Sequence, residues 1–308
     1  MNTLPEGNLQ VEIAGVTLPN PVMPASGTYE FSNRDKLAFD PAMLGAVVNK
    51  TIFIDPRLGN PPPRIYETPC GMLNSIGIPS EGVESFIKKQ LPMLRKIGPP
   101  VIVSIAEHDV ERFCLLAEQI ETTGMADIIE LDLSCPNIEK GTHWATDRKS
   151  LEAVVSAVVK RVGLPVAAKL SPSVIEISDM AVCAEEAGAA AVSMVNTFRG
   201  IAIDIEQRKP VLGNIVGGLS GPAIRPLAMY AVYSCYKRIN IPIIGMGGIA
   251  CWRDAVEFMQ AGATAVAVGM QNFVNPRAME EIIIGLNRYL AENGFESARD
   301  IIGLAARD

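Results

Sequence analysis

At 308 residues, with 48% hydrophobic and 20% charged side chains, the chain has enough apolar material for a large closed core, which excludes intrinsic disorder. The formal net charge of −7 and the absence of a Lys/Arg stripe argue against a nucleic-acid partner, because phosphate contacts need clustered cations. No run of about 18 apolar residues occurs, so no membrane-spanning helix is expected, and residues 1–11 lack the basic start of a secretory leader.

In chain order, eight short, nearly continuous apolar runs predict strands buried on both faces: 20–25, 46–52, 101–106, 128–134, 165–171, 191–197, 241–248 and 265–271. Amphipathic segments near 81–96, 109–123, 148–162, 174–187, 222–238, 251–261 and 275–292 alternate with them and predict helices. Ile177, Met180, Ala181 and Ala184, for example, form an i, i+3, i+4, i+7 stripe. Ser80 and Asp147 stand where helix N-caps are expected. Strands and helices in this alternation predict an α/β fold, a single (β/α)8 barrel over residues 1–308. A hairpin at 9–18, turning at Gly15, is expected to close the barrel bottom. Residues 185–196 and 259–270 share one script of helix end, glycine connector and buried strand, a modest echo of barrel repetition. The Pro-rich stretch 55–64 reads as an ordered loop, not as a linker.

The six cysteines form no CxxC pair and only two histidines exist, His108 and His143, so nothing supports a zinc or iron–sulfur site. Scattered cysteines point to a reduced, cytoplasmic protein.

Barrel chemistry sits at the C-terminal strand ends. There the sequence delivers Ala25-Ser26-Gly27-Thr28, Lys50-Thr51, Ser134-Cys135-Pro136-Asn137, Lys169, Asn196-Thr197, Gly247-Gly248 and Gly269. Lysines ending apolar strands ask for an anion, from a ligand or from a salt bridge across the barrel mouth; taken singly, neither reading is favoured. Glycines after the seventh and eighth strands let backbone N–H groups approach a phosphate.

Five stretches resemble the dihydroorotate and dihydropyrimidine dehydrogenase family: LDLSCPN at 131–137, GNPPPRIYETPCGMLNSIG at 59–77, NTFRGIAIDIEQRKPVLGNIVGGLSGPAI at 196–224, IGMGGI at 244–249 and VGMQNFVNP at 268–276. EKGTHWATD at 139–147 resembles the NAD-linked class 1B branch. The resemblance spans essentially the whole chain, in order. It implies an FMN-dependent oxidoreductase that oxidises dihydroorotate to orotate in pyrimidine biosynthesis. A base takes the proton from C5 and hydride leaves C6 for flavin N5. It assigns Cys135 as that base. Lys50 matches the lysine between FMN and the substrate carboxylate, counted with the catalytic residues. Asn74, Ile76, Gly77, Ile78, Asp132, Asn137, Asn196 and Thr197 fall at substrate positions. Ala25, Ser26, Gly27, Thr51, Ser104, Asp132, Val195, Gly221, Gly247, Gly248, Gly269 and Met270 fall at FMN positions, with Lys169 at the flavin N1/O2 edge. The resemblance also implies a homodimer and a separate FAD/[2Fe–2S] electron-transfer subunit.

Two positions and one short stretch depart from the family pattern. Asp132 and Ser104 stand where the family has asparagine, and IPSEG at 78–82 replaces a Gln-Asn stretch. A carboxylate can only accept hydrogen bonds, whereas an amide donates and accepts. Asp132 therefore leaves open a different dihydropyrimidine or cyclic amide as substrate, or a charge network with Lys50 and Lys169. A catalytically retired flavin-binding subunit is the further alternative.

Overall fold

Eight parallel strands stand side by side in a ring: β1 (Val22–Pro24), β2 (Val47–Val48), β3 (Val101–Ile105), β4 (Ile128–Asp132), β5 (Val166–Lys169), β6 (Ala191–Met194), β7 (Ile243–Met246) and β8 (Ala265–Val268). The computed structural model describes residues 8–32, 37–134 and 144–307. The hydrogen-bonded order runs β1-β8-β7-β6-β5-β4-β3-β2. At the seam, Gly45 N–H donates to the Val22 carbonyl at 2.8 Å, bringing β2 against β1. A side chain at Gly45 would strike the Asn20 carbonyl, so the seam needs glycine. Every strand residue is buried, which is why the strands read as unbroken apolar runs and not as alternating ones. The architecture is a (β/α)8 barrel.

Helices return the chain between strands and cover the barrel. The predicted stripe Ile177, Met180, Ala181 and Ala184 is the buried face of the helix Ile177–Glu186. Asp147 caps the helix Arg148–Arg161, accepting from Ser150 N–H at 2.8 Å. Ser80 does not cap a helix. Its Oγ accepts from Gly82 N–H, and Gly82, at φ 84°, is the cap residue before Val83. The chain must turn through a left-handed conformation there, which serine resists and glycine adopts freely.

The hairpin pairs Val11–Ile13 with Val16–Leu18 around Ala14 and Gly15, both at positive φ. Its turn faces Ala190, Pro242 and Thr264, the residues just before β6, β7 and β8, so it lies at the barrel bottom. Val11, Ile13 and Leu18 are fully buried there. Burying side chains of this size contributes about 1.5–3 kcal/mol each.

The sequence shows no strands in the long loops after β2 and β6, yet these loops build a second sheet. Ile65–Thr68, Gly71–Asn74, Gly217–Ser220 and Phe198–Gly200 form four antiparallel strands, with Gly218 opposite Asn74 and Phe198 opposite Leu219. Two of the stretches that resemble the family motifs thus pair with each other across the mouth of the barrel.

Candidate active site

The C-terminal strand ends and the cap sheet enclose a cavity of about 630 Å³, within the range of small-molecule and cofactor sites. It is lined from below by Ala25, Ser26 and Gly27 after β1, Lys50 after β2, Lys169 at the end of β5, and Val195, Asn196 and Thr197 after β6. Gly247 and Gly248 after β7 and Gly269 and Met270 after β8 complete the floor. The cap contributes Asn74, Ile76 and Gly221.

Of the other sequence-predicted site residues, Gly77 and Ile78 follow Ile76 at positive φ but do not line the cavity. Cys135 and Asn137 lie outside the described residues. Thr51, Ser104 and Asp132 are expected at cofactor or substrate positions; none of them lines this cavity, and they are joined to one another by hydrogen bonds. Thr51 Oγ1 and Ser104 Oγ share a hydrogen bond of 3.0 Å, and Thr51 donates to Asp132 Oδ2 at 3.3 Å.

Asp132 is the centre of this floor. Lys169 Nζ lies 3.1 Å from its Oδ1, and both side chains are buried. Ser134 Oγ donates to the same oxygen at 2.6 Å and accepts from Asn196 Nδ2 at 2.7 Å. Asn196 Oδ1 accepts from Thr197 N–H at 2.7 Å. An unbroken chain of polar contacts thus runs from Lys169 up to two residues of the cavity wall and fixes which way the Asn196 amide faces. Burial alone would raise the Asp132 carboxyl, but the Lys169 ammonium and the Ser134 hydrogen bonds together outweigh it and hold the group below the usual aspartate value. Asp132 is ionised.

Glu130 points into the same interior two residues earlier on β4. Its Oε2 accepts from Ser193 Oγ at 2.6 Å, while Oε1 is buried without a hydrogen-bond partner. Burial pushes its carboxyl up, against the opposing pull of Lys169 and Ser193.

Lys50 differs from Lys169. It is exposed to the cavity, and among the described residues it makes no ion pair. Partial burial and then the Arg64 guanidinium lower it from the ordinary lysine value, while Glu30 opposes them. An anion entering the cavity would meet this ammonium first.

Sequence reasoning missed three supports. Asn49, buried beside Lys50, accepts from Ser104 N–H at 2.6 Å and donates to the Lys50 carbonyl at 2.8 Å, fixing the end of β2. Glu107, fully buried, accepts from Ile54 N–H and Arg112 Nε, both at 2.8 Å, and its carbonyl accepts from Trp144 Nε1 at 3.2 Å. The third is Glu130. The signal for it was present: Glu130 and Asp132, two apart on a buried strand, share the barrel-interior side.

The fold and this cavity define an α/β-barrel protein whose chemistry is at the C-terminal face, where such barrels place their active sites. The dihydroorotate dehydrogenase family model matches residues 8–290, and the chain belongs to that family. It is 46% identical over 297 residues, 96% of this chain and 98% of the relative, to "Dihydroorotate dehydrogenase B (NAD(+)), catalytic subunit" of Thermoanaerobacter sp. (strain X514). Proteins of the same description match from Carboxydothermus hydrogenoformans, at 48% over 301 residues (97% and 98% covered), and Geobacter sulfurreducens, at 43% over 297 residues (96% and 97% covered).

Proposed function

We infer that this chain is an oxidoreductase acting on a CH–CH bond, oxidising dihydroorotate to orotate as a catalytic subunit with FMN in the barrel-mouth cavity. The observation that carries the reading is the pairing of an unmatched ammonium, Lys50, with a glycine-rich rim in one cavity. The substrate bears a carboxylate, and the cofactor bears a phosphate.

The residues present fit FMN. Gly248 has φ 76°, and a Cβ there would sit 2.8 Å from the Gly221 carbonyl, so the strand-7 loop can follow this path only as glycine. A Cβ at Gly269 would meet nothing nearer than 3.8 Å, leaving room for a ligand to approach the backbone closely. Val195, Met246, Ile249 and Met270 give the apolar walls a flat ring system needs. When bound, FMN supplies the hydride acceptor.

The rest of the reaction falls to the chain's own side chains. Lys50 holds the substrate carboxylate. Asn74, Asn196, Thr197 and Asn137 supply hydrogen bonds to the dihydropyrimidine ring, with the Asn196 amide already oriented by Ser134. Cys135, next in sequence after Ser134, takes the C5 proton; as a thiolate it is a base of suitable strength near neutral pH. The described residues contain no cluster of His, Cys, Asp or Glu suited to a metal ion. Electrons leave through a partner: the relatives are described as NAD(+)-linked catalytic subunits, and an FAD/[2Fe–2S] subunit that passes electrons to NAD+ fits that description. A single barrel domain that pairs with a second copy and acts in the cytoplasm completes the reading; no helix among the described residues is long and apolar enough to cross a membrane.

Because both carboxylate oxygens of Asp132 are engaged below the cavity, the residue gives no reason to prefer a different substrate. Anaerobic addition of dihydroorotate to the purified chain tests the assignment: the visible flavin absorbance should bleach. A flavin that stays oxidised, or a protein that releases no FMN on denaturation, would defeat it.

A further inference from the structure

The buried floor of the cavity holds three ionisable groups among the described residues: Lys169, Asp132 and Glu130. Two of them are matched to each other at 3.1 Å, and the third, Glu130, keeps one carboxyl oxygen buried without a hydrogen-bond partner, which disfavours its charged form. With Lys169 charged +1 and Asp132 charged −1, the pair is electrically neutral.

Resting on the FMN reading above, we propose that Asp132 is a positioning residue that sets the redox potential of the bound flavin, by cancelling the charge of Lys169 directly beneath the ring. The glycine rim after β7 and β8 takes the phosphate end, so the ring extends from it past the β6 end to the β5 end, where Val195, Asn196 and Lys169 line the cavity. Uptake of two electrons and one proton adds one negative charge to the ring. An unmatched ammonium below would stabilise that charge and make the flavin easier to reduce. The Asp132 carboxylate removes this stabilisation, so electrons are held less tightly and pass on more readily. Asparagine in its place would keep the Ser134 contact through its one amide oxygen and would meet Thr51 Oγ1 with its NH2 as donor, but would leave the Lys169 charge unmatched. In a water-poor interior one unit of charge a few ångströms from the ring is a large effect.

The test is a dithionite titration of the FMN-loaded protein against a reference dye of known potential, on the wild type, Asp132→Asn and the double variant Asp132→Asn/Lys169→Met. Asp132→Asn should raise the midpoint potential by about 30 mV or more, a tenfold change in the two-electron equilibrium constant. The double variant, neutral again, should return close to the wild-type value. Asp132→Glu, which keeps the charge, should also stay near the wild type; Lys169→Met, which leaves the Asp132 carboxylate unmatched, should lower the potential and stands in should the asparagine variant not fold. Coincident potentials for wild type and Asp132→Asn overturn the proposal, as does a double variant that keeps the asparagine value. A wild-type protein that releases no FMN instead defeats the cofactor reading itself, so the two failures are told apart.

Discussion

Lys169 Nζ and Asp132 Oδ1 meet at 3.1 Å at the adjacent ends of two neighbouring parallel strands, in register with each other. The register makes the pairing inevitable once both residues point into the barrel. It also answers the question a lysine at the end of an apolar strand raises, because the anion comes from the protein.

Removing one partner of this pair strands the other as a buried, uncompensated charge. Lys169→Met should destabilise the protein by about 3–5 kcal/mol. Adding Asp132→Asn to it should recover a large part of that loss. Urea unfolding of the wild type, both single variants and the double variant measures this. Strictly additive losses would mean the two charges do not interact.

Glu130 and Asp132 titrate in opposite senses. The Asp132 carboxyl is held low in the fold, so its contribution is present above its unfolded value of about 3.9 and is lost as pH falls through its folded value. The Glu130 carboxyl is pushed up, so its contribution is full below about pH 4.3 and is lost as pH rises through its folded value. Glu130→Gln removes only the second loss. Its melting temperature relative to the wild type should therefore become more favourable as pH rises above about 4.3. A difference that is constant with pH would show that Glu130 does not titrate in the fold.

The barrel was legible because its strands are short apolar runs separated by amphipathic helices, and each run became a buried strand. The cap sheet was not. Ile65, Tyr66 and Glu67 are exposed, so no apolar alternation marks that strand, and Gly71–Asn74 pairs with Gly217–Ser220 far along the chain. Local pattern carries no information about such a partner. At the site, the cavity-lining residues were readable from strand ends and family motifs. The depth of Asp132 was not, because its position depends on the register of β4 against β5 and on a serine two residues later.

Lys50 sits at the cavity without an ion-pair partner among the described residues, so its charge is available for the substrate carboxylate. A hydrogen bond to a charged group is worth about 1.5–3 kcal/mol. Lys50→Met should therefore lower kcat/KM for dihydroorotate by about tenfold to a hundredfold or more. Dihydrouracil has the same ring but no carboxylate, and its slow turnover should change far less. Steady-state assays of both compounds with both proteins decide it. An equal loss on the two substrates would move Lys50 from carboxylate recognition to a general structural role.

Cys135 follows Ser134, whose hydroxyl is tied to Asp132 and Asn196, and Asn196 lines the cavity. A serine there has a far higher pKa than a thiol and is a poor base at neutral pH. Cys135→Ser should keep FMN and fold but slow anaerobic flavin reduction by dihydroorotate about 10²- to 10⁴-fold, the usual cost of losing a general base. The residual rate should rise with pH, as the weaker acid begins to ionise. Cys114 and Cys183 give the control: both are buried helix residues with thiols pushed up by burial, and their replacement by alanine should leave the reduction rate unchanged. Stopped-flow absorbance of the flavin measures all three variants. Reduction of the Cys135→Ser protein at the wild-type rate would assign the base to another group.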